Sequence, residues 1–157
     1  MPSDLWSFTL DFYARPGVEQ ACLTLQADGA NVCMLLCGVW LELRGASCSE
    51  ERLREIVELA EPWHDEVVRP LRDIRNRWKA PAGRNVVLAG LRERVKTLEL
   101  EAERQLLMDL ETLTLGWSTA GEPDGNAWLT ALAGNAGTHN RDALQVLRAA
   151  GLAVDDA

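Results

Sequence analysis

Asn31-Val32-Cys33-Met34-Leu35-Leu36-Cys37-Gly38-Val39-Trp40-Leu41-Glu42-Leu43 is the stretch whose reading decides the fold. From Val32 to Leu41 it carries no charge, and Glu42 and Arg44 follow at once. Such a run is too short to span a bilayer. An apolar segment without a polar side is a helix buried all round, so the remaining helices must pack around this one.

On its N-terminal side, Ser3 offers a cap for a first helix reaching about Ala14. Leu5, Phe8 and Phe12 mark one side of it, with Trp6, Leu10 and Tyr13 beside them, so it is wedged between neighbours. Arg15-Pro16-Gly17 breaks it. In a second helix Val18, Ala21, Cys22 and Leu25 follow helical spacing, and Asp28-Gly29 ends it.

On its C-terminal side Gly45 stops the central helix, and a fourth begins near Ser47 or Ser49, Ser47 and Glu50 having capping-box spacing. Leu53, Ile56, Val57 and Ala60 form its buried stripe. Pro62 suits the opening of a fifth helix that reaches Lys79, with Trp63, Val67, Leu71, Ile74 and Trp78 on one face. That face stays in phase across Pro70, which predicts a kink there. Ala80-Pro81-Ala82-Gly83 is the clearest linker, before a sixth helix over about Asn85 to Leu115. So short a connection pairs the fifth and sixth helices as an antiparallel hairpin. Residues 116–125 read as a surface loop. Two short helices follow, over 126–133 and 140–149, joined by 134–138, with Asn140 as a cap, Gly151 as a stop and 150–157 as a frayed tail. The expectation is an all-α, single-domain irregular helical bundle over residues 1–157, built around a buried central helix, with a long helical hairpin.

Composition agrees. The 157 residues are 47% hydrophobic and 25% charged, ordinary globular values, and the six Trp suit core anchors. A net charge of −8 disfavours generic binding to nucleic acid or anionic lipid. The N-terminus has Asp4 and Asp11 and no basic region, so no signal peptide is expected, and four Cys in such a chain point to reduced thiols in the cytoplasm.

The motifs for common chemistries are missing from the sequence. Cys33 and Cys37 share a helix face and Cys22 and Cys48 flank them, but the four lie among apolar residues; core packing is the expectation and a four-thiolate zinc site the alternative. His64 and His139 belong to no H-E-x-x-H or E-x-x-H pattern, and His64 reads as a surface or packing residue. There is no nucleophile elbow, phosphate loop or dinucleotide fingerprint. No catalytic residue, metal or cofactor is assigned, and the chain leans away from being an enzyme.

Charge distribution is more informative. Residues 69–84 hold Arg69, Arg72, Arg75, Arg77, Lys79 and Arg84 against Asp73 alone, a balance of +5 in an acidic chain. Two readings compete. In one, these Arg pair within the fold with Glu99, Glu101 and Glu103 across the hairpin. In the other, Arg69, Arg72 and Arg75 form a docking patch for an acidic protein or a phosphate-bearing ligand, with Trp78 as an aromatic anchor and Glu99 and Glu103 as acidic counterparts.

Leu5-Trp6, Phe12-Tyr13, Arg15-Pro16-Gly17-Val18, Ala21-Cys22-Leu23, Leu25-Gln26 and Trp40-Leu41 together resemble a small gammaproteobacterial family. It is catalogued as domain-of-unknown-function family 2390 and found mostly in pseudomonads and their relatives. Val67-Val68-Arg69-Pro70-Leu71-Arg72 and the Glu-rich stretch from Glu99 to Arg104 fit it as well. The resemblance covers about the first two thirds of the chain and leaves the last 40 residues unmatched. It implies a small helical cytoplasmic protein and brings no activity or catalytic residues with it.

The function expected from the sequence is therefore a non-enzymatic interaction module, an adaptor or regulator, binding a protein partner through the Arg-rich patch. The alternative is a bundle that binds a small molecule or anion, or an enzyme of unrecognised type. In that case Arg69 or Arg72 would fix a carboxylate or phosphate and Glu99 or Glu103 would do proton or metal work. Nucleic acid and membrane are not expected partners.

Overall fold

The computed structural model describes residues 4–121 and 127–155. Among them the chain is all helical. Helix α1 spans Leu5–Tyr13, α2 Val18–Ala27, α3 Val32–Leu43 and α4 Glu50–Trp63. A π-helical segment, His64–Val68, leads into α5, Arg69–Arg77. Then come α6, Lys79–Ala82, α7, Val86–Thr114, α8, Ala127–His139, and α9, Arg141–Asp155.

The centre is α3, as its composition requires: every residue from Val32 to Leu41 is buried. The Asn31 side chain caps it by accepting from the Met34 N–H. At its other end Gly45 takes φ +78°, and Ala46 N–H reaches back to the Leu41 carbonyl at 3.0 Å. That is a Schellman stop, which a left-handed glycine permits. A Cβ on Gly45 would lie 2.6 Å from the Thr119 carbonyl oxygen, so glycine is required twice over.

Around α3 pack α1, the C-terminal half of α7, α8 and α9. Leu5, Phe8 and Phe12 of α1 are buried, with the two Phe rings stacked 5.2 Å apart. Ala102, Leu106, Leu107 and Leu110 supply the α7 side of the core. No helix among the described residues is long and apolar enough to cross a membrane.

Several boundaries differ from expectation, each for a local reason. The cap of α1 is Asp4, whose Oδ1 accepts from Ser7 N–H at 2.8 Å; Ser3 lies outside the described residues. Of the two candidate caps for α4 it is Ser49 that accepts from Arg52 N–H, while Ser47 gives its carbonyl to the Arg52 guanidinium.

Pro62 does not open a helix: α4 runs through it to Trp63. The next turn widens to π geometry, and Arg69 N–H closes on the His64 carbonyl five residues back. A widened turn accommodates a stretch flanked by two prolines that lack N–H groups, so the helix continues past Pro70 instead of ending. The expected linker at 80–83 is itself largely a helical turn, α6.

Gly134 has φ 53° and ψ −134° and interrupts α8, but the following residues return to helix up to His139. Gly151 does not stop α9, which continues to Asp155; Gly151 is buried, and a Cβ there would touch Val39 of α3 at 3.4 Å. It is a packing glycine rather than a terminator. The loop predicted at 116–125 begins as expected, and its part from 122 onward lies outside the described residues, as does Asp156.

Candidate functional site

The α4–π–α5 helix and α7 run antiparallel. Trp63 Nε1 donates to the Ala102 carbonyl, Arg72 pairs with Glu99, and Arg92 Nε donates to the Arg75 carbonyl. Position thus falls along one helix as it rises along the other. Beyond Val68 and Glu99 the hairpin leaves the core: no residue from 69 to 98 is buried. Leu71, Ile74 and Trp78 are half-buried along its seam, whereas Val86 and Val87 at the start of α7 are 89% and 74% exposed. This is a two-helix arm, held by its own seam and by its root.

The root is electrostatic. Glu99 is buried and takes hydrogen bonds from Arg72 Nε at 3.1 Å, Arg75 Nη2 at 3.3 Å and Arg75 Nε. The hydrogen bond to Glu99 pushes the Arg75 pKa up. Arg72 reaches Glu103 as well, at 3.9 Å, beyond hydrogen-bonding distance. Burial raises the Glu103 pKa, because that carboxylate has lost water without gaining a close donor.

The structure thus divides the residues singled out in the sequence. Arg72 and Arg75 converge with Glu99 and Glu103 at the root. Arg69 stands apart, half exposed and, among the described residues, ion-paired only with Asp65 one turn earlier at 3.4 Å. Trp78 caps α5 and is half-buried. Glu101 is exposed.

The sequence reading missed how much positive charge the hairpin gathers. Arg92, Arg94 and Lys96 of α7 lie alongside the α5 cations, so residues 69–98 hold nine Arg and Lys against Asp73 and Glu93. The arm carries +7 in a chain of net −8, which leaves −15 on the rest. Counting charge across the predicted hairpin, instead of along one segment, would have found this. Among the described residues no ion pair involves Arg77, Lys79, Arg84 or Arg94, all exposed.

The π-helical segment turns His64 inward. It is buried, its Nδ1 lies 3.4 Å from Asp65 Oδ1, and its buried Nε2 has no hydrogen-bond partner among the described residues. His64 borders a depression of about 310 Å³ together with Asn31, Glu61 and Arg69. Desolvation lowers its pKa; the Asp65 contact opposes this, and Arg72 and Arg69 reinforce it. The native state therefore holds His64 neutral, while the unfolded chain protonates near its ordinary value of 6.5. This contribution to stability is present above that value and is lost as the pH falls below it. The stability of the wild type relative to His64→Gln should decline from about pH 7.5 to about pH 5, measured by urea denaturation at each pH. A constant difference would show that His64 titrates alike in both states.

Cys22, Cys33 and Cys37 are buried in the core, whereas Cys48 is only half-buried against it. Burial pushes the thiols of Cys22 and Cys37 up to about 12, and that of Cys33 also upward, so all three stay protonated at neutral pH. Among the described residues no three of His, Cys, Asp and Glu are grouped to hold a metal ion.

A family model described as a protein of unknown function, DUF2390, matches residues 4–110. The chain belongs to the DUF2390 family. No curated protein and no solved structure matches it. The DUF2390 match takes in α1 to α6 and most of α7, and so contains the arm and its Glu99 root; α8 and α9 lie beyond it.

Proposed function

We propose that this protein is a non-enzymatic adaptor or regulator of the cytoplasm that docks an acidic protein partner with its basic helical arm. The observation that carries the reading is the arm itself: residues 69–98, none of them buried, bear +7 on a chain whose remainder bears −15. A two-helix extension with so little buried surface adds little to the stability of the core. A projecting arm does present a rigid face to a partner. Its Arg side chains suit carboxylates, which their planar forks bind in pairs. The acidic remainder repels a polyanion long enough to pass over it, which favours a protein with a local acidic patch over nucleic acid. The docking cations are the outward ones, Arg77, Lys79, Arg84 and Arg94 with Arg69 at the base, because Arg72 and Arg75 are held by Glu99.

Charge reversal at Arg77, Lys79 and Arg84 tests this without touching the root. Stability should stay within about 0.5 kcal/mol of wild type, as is usual for exposed positions away from buried contacts. Affinity capture from nuclease-treated lysate should yield a protein that the wild type retains and the reversed variant loses. A variant with Arg77→Lys and Arg84→Lys should keep most of it. The same proteins on both baits, or retention that vanishes with nuclease, would refute the proposal.

A further inference from the structure

A second feature is independent of the arm. Between α1, α2, α3 and α7 lies a groove of about 370 Å³, floored by Val32, Cys33, Leu36 and Leu107. Trp6, Leu10 and Leu100 wall it, and the two leucines are 53% and 54% exposed. Its polar groups are few: Thr9, Tyr13, Glu19, Gln26 and Glu103. Apolar walls with a small set of convergent polar groups are the usual make-up of a small-molecule site.

The polar groups specify the ligand's charge. Two carboxylates line the groove and no lysine or arginine does. The nearest cations serve other partners: Arg72 gives its Nε to Glu99 and stops 3.9 Å from Glu103, and Arg104 stacks over the outer Trp6 ring at 5.2 Å. The Glu103 side chain is three quarters withdrawn from solvent, and among the described residues its carboxylate accepts no hydrogen bond, although its backbone carbonyl takes one from Cys33 Sγ. Thr9 Oγ1, on a residue only 8% exposed, also has no partner. The Tyr13 hydroxyl lies in the field of both Glu19 and Glu103 and stays a neutral phenol, its pKa raised to about 12, chiefly by burial.

We propose that this groove binds a hydrophobic amine: an apolar or aromatic tail against Leu36, Leu107 and Trp6, and an ammonium held by the Glu103 carboxylate beside the Tyr13 hydroxyl. The ammonium supplies the donor that the Glu103 carboxylate lacks, and Tyr13 adds an aromatic ring to the lining beside it. An anionic ligand would meet two carboxylates, and a purely apolar one would desolvate Glu103 further and leave it only the long contact to Arg72.

The probe is 2-phenylethylammonium, with 2-phenylethanol and 3-phenylpropionate as isosteres, titrated into the full-length protein at neutral pH and read at the Trp6 indole N–H by NMR. Saturable binding of the amine is expected, with the alcohol at least tenfold weaker and the carboxylate weaker still. Glu103→Gln should cost at least tenfold in affinity. Glu19→Gln, an exposed position where folding is not at stake, should cost about threefold. Equal binding of amine and alcohol, indifference to both substitutions, or no saturable shift at Trp6 would overturn the proposal.

Discussion

Glu99→Ala should lower the stability of the protein by about 3 kcal/mol, the larger part of it from the two arginines left behind. Side-chain exposures at the root are 8% for Glu99, 13% for Arg72 and 23% for Arg75, so solvent screens the cluster little. With the carboxylate gone, two guanidinium groups share a poorly hydrated site with only Glu103, 3.9 Å from Arg72. For a chain of this size the loss corresponds to about 6–12 °C in melting temperature. Replacing all three residues by leucine should be far milder, since removing both signs of charge together also removes the desolvation penalty. Denaturant titrations of Glu99→Ala and of the triple variant decide the matter. A loss below about 1 kcal/mol in Glu99→Ala would mean that the cluster behaves as a surface pair, and the arm would then need another anchor.

The same cluster shows where a sequence stops being legible. Arg69, Arg72 and Arg75 recur every third residue, and each such step turns an α-helix back by about 60°. Arg69 and Arg75 are therefore about 120° apart, and the three cannot all face one partner on α7. The sequence displays the cluster but not the hairpin register, and register decides which cations Glu99 takes. The π-turn before Arg69 adds a rotation that no spacing rule foresees.

Central helix α3 was legible because an unbroken apolar run has one stable placement. The glycines at 29 and 45 were legible as helix stops because both adopt positive φ at the end of a helix. Gly151 gave the same signal and meant something else, since it lets α9 approach Val39. Pro62 misled similarly: proline is commonest in a first turn, and here a wide turn absorbs it. The groove beside Glu103 could not be read at all, because α7, which brings Leu100, Glu103 and Leu107, is distant in sequence from the consecutive helices α1, α2 and α3 that form its other sides.

The second large effect is expected at Trp128, outside the family match. Trp128 is fully buried, stacks on Trp117 with ring centroids 6.0 Å apart, and donates its indole N–H to the Ala46 carbonyl at 2.7 Å, just past the Schellman stop of α3. One turn later Leu132 lies close enough to Gly38 that a Cβ there would meet its Cδ1 at 2.9 Å. Helix α8 is thus pressed against the buried helix at the centre of the core. Trp128→Ala should cost about 4 kcal/mol, from the cavity and from a carbonyl left without its donor. Trp128→Phe keeps most of the apolar volume and should cost about 1–2 kcal/mol, mainly for the lost hydrogen bond. If α8 and α9 form one cooperative unit with the DUF2390-matched region, each variant will show a single unfolding transition at lower denaturant with an unchanged slope. A second transition, with the α1–α7 signal staying at the wild-type midpoint, would instead make the C-terminal third a separable cover. The close approach at Gly38 argues against that, because uncovering α3 would expose an apolar face with no polar residue to hydrate it.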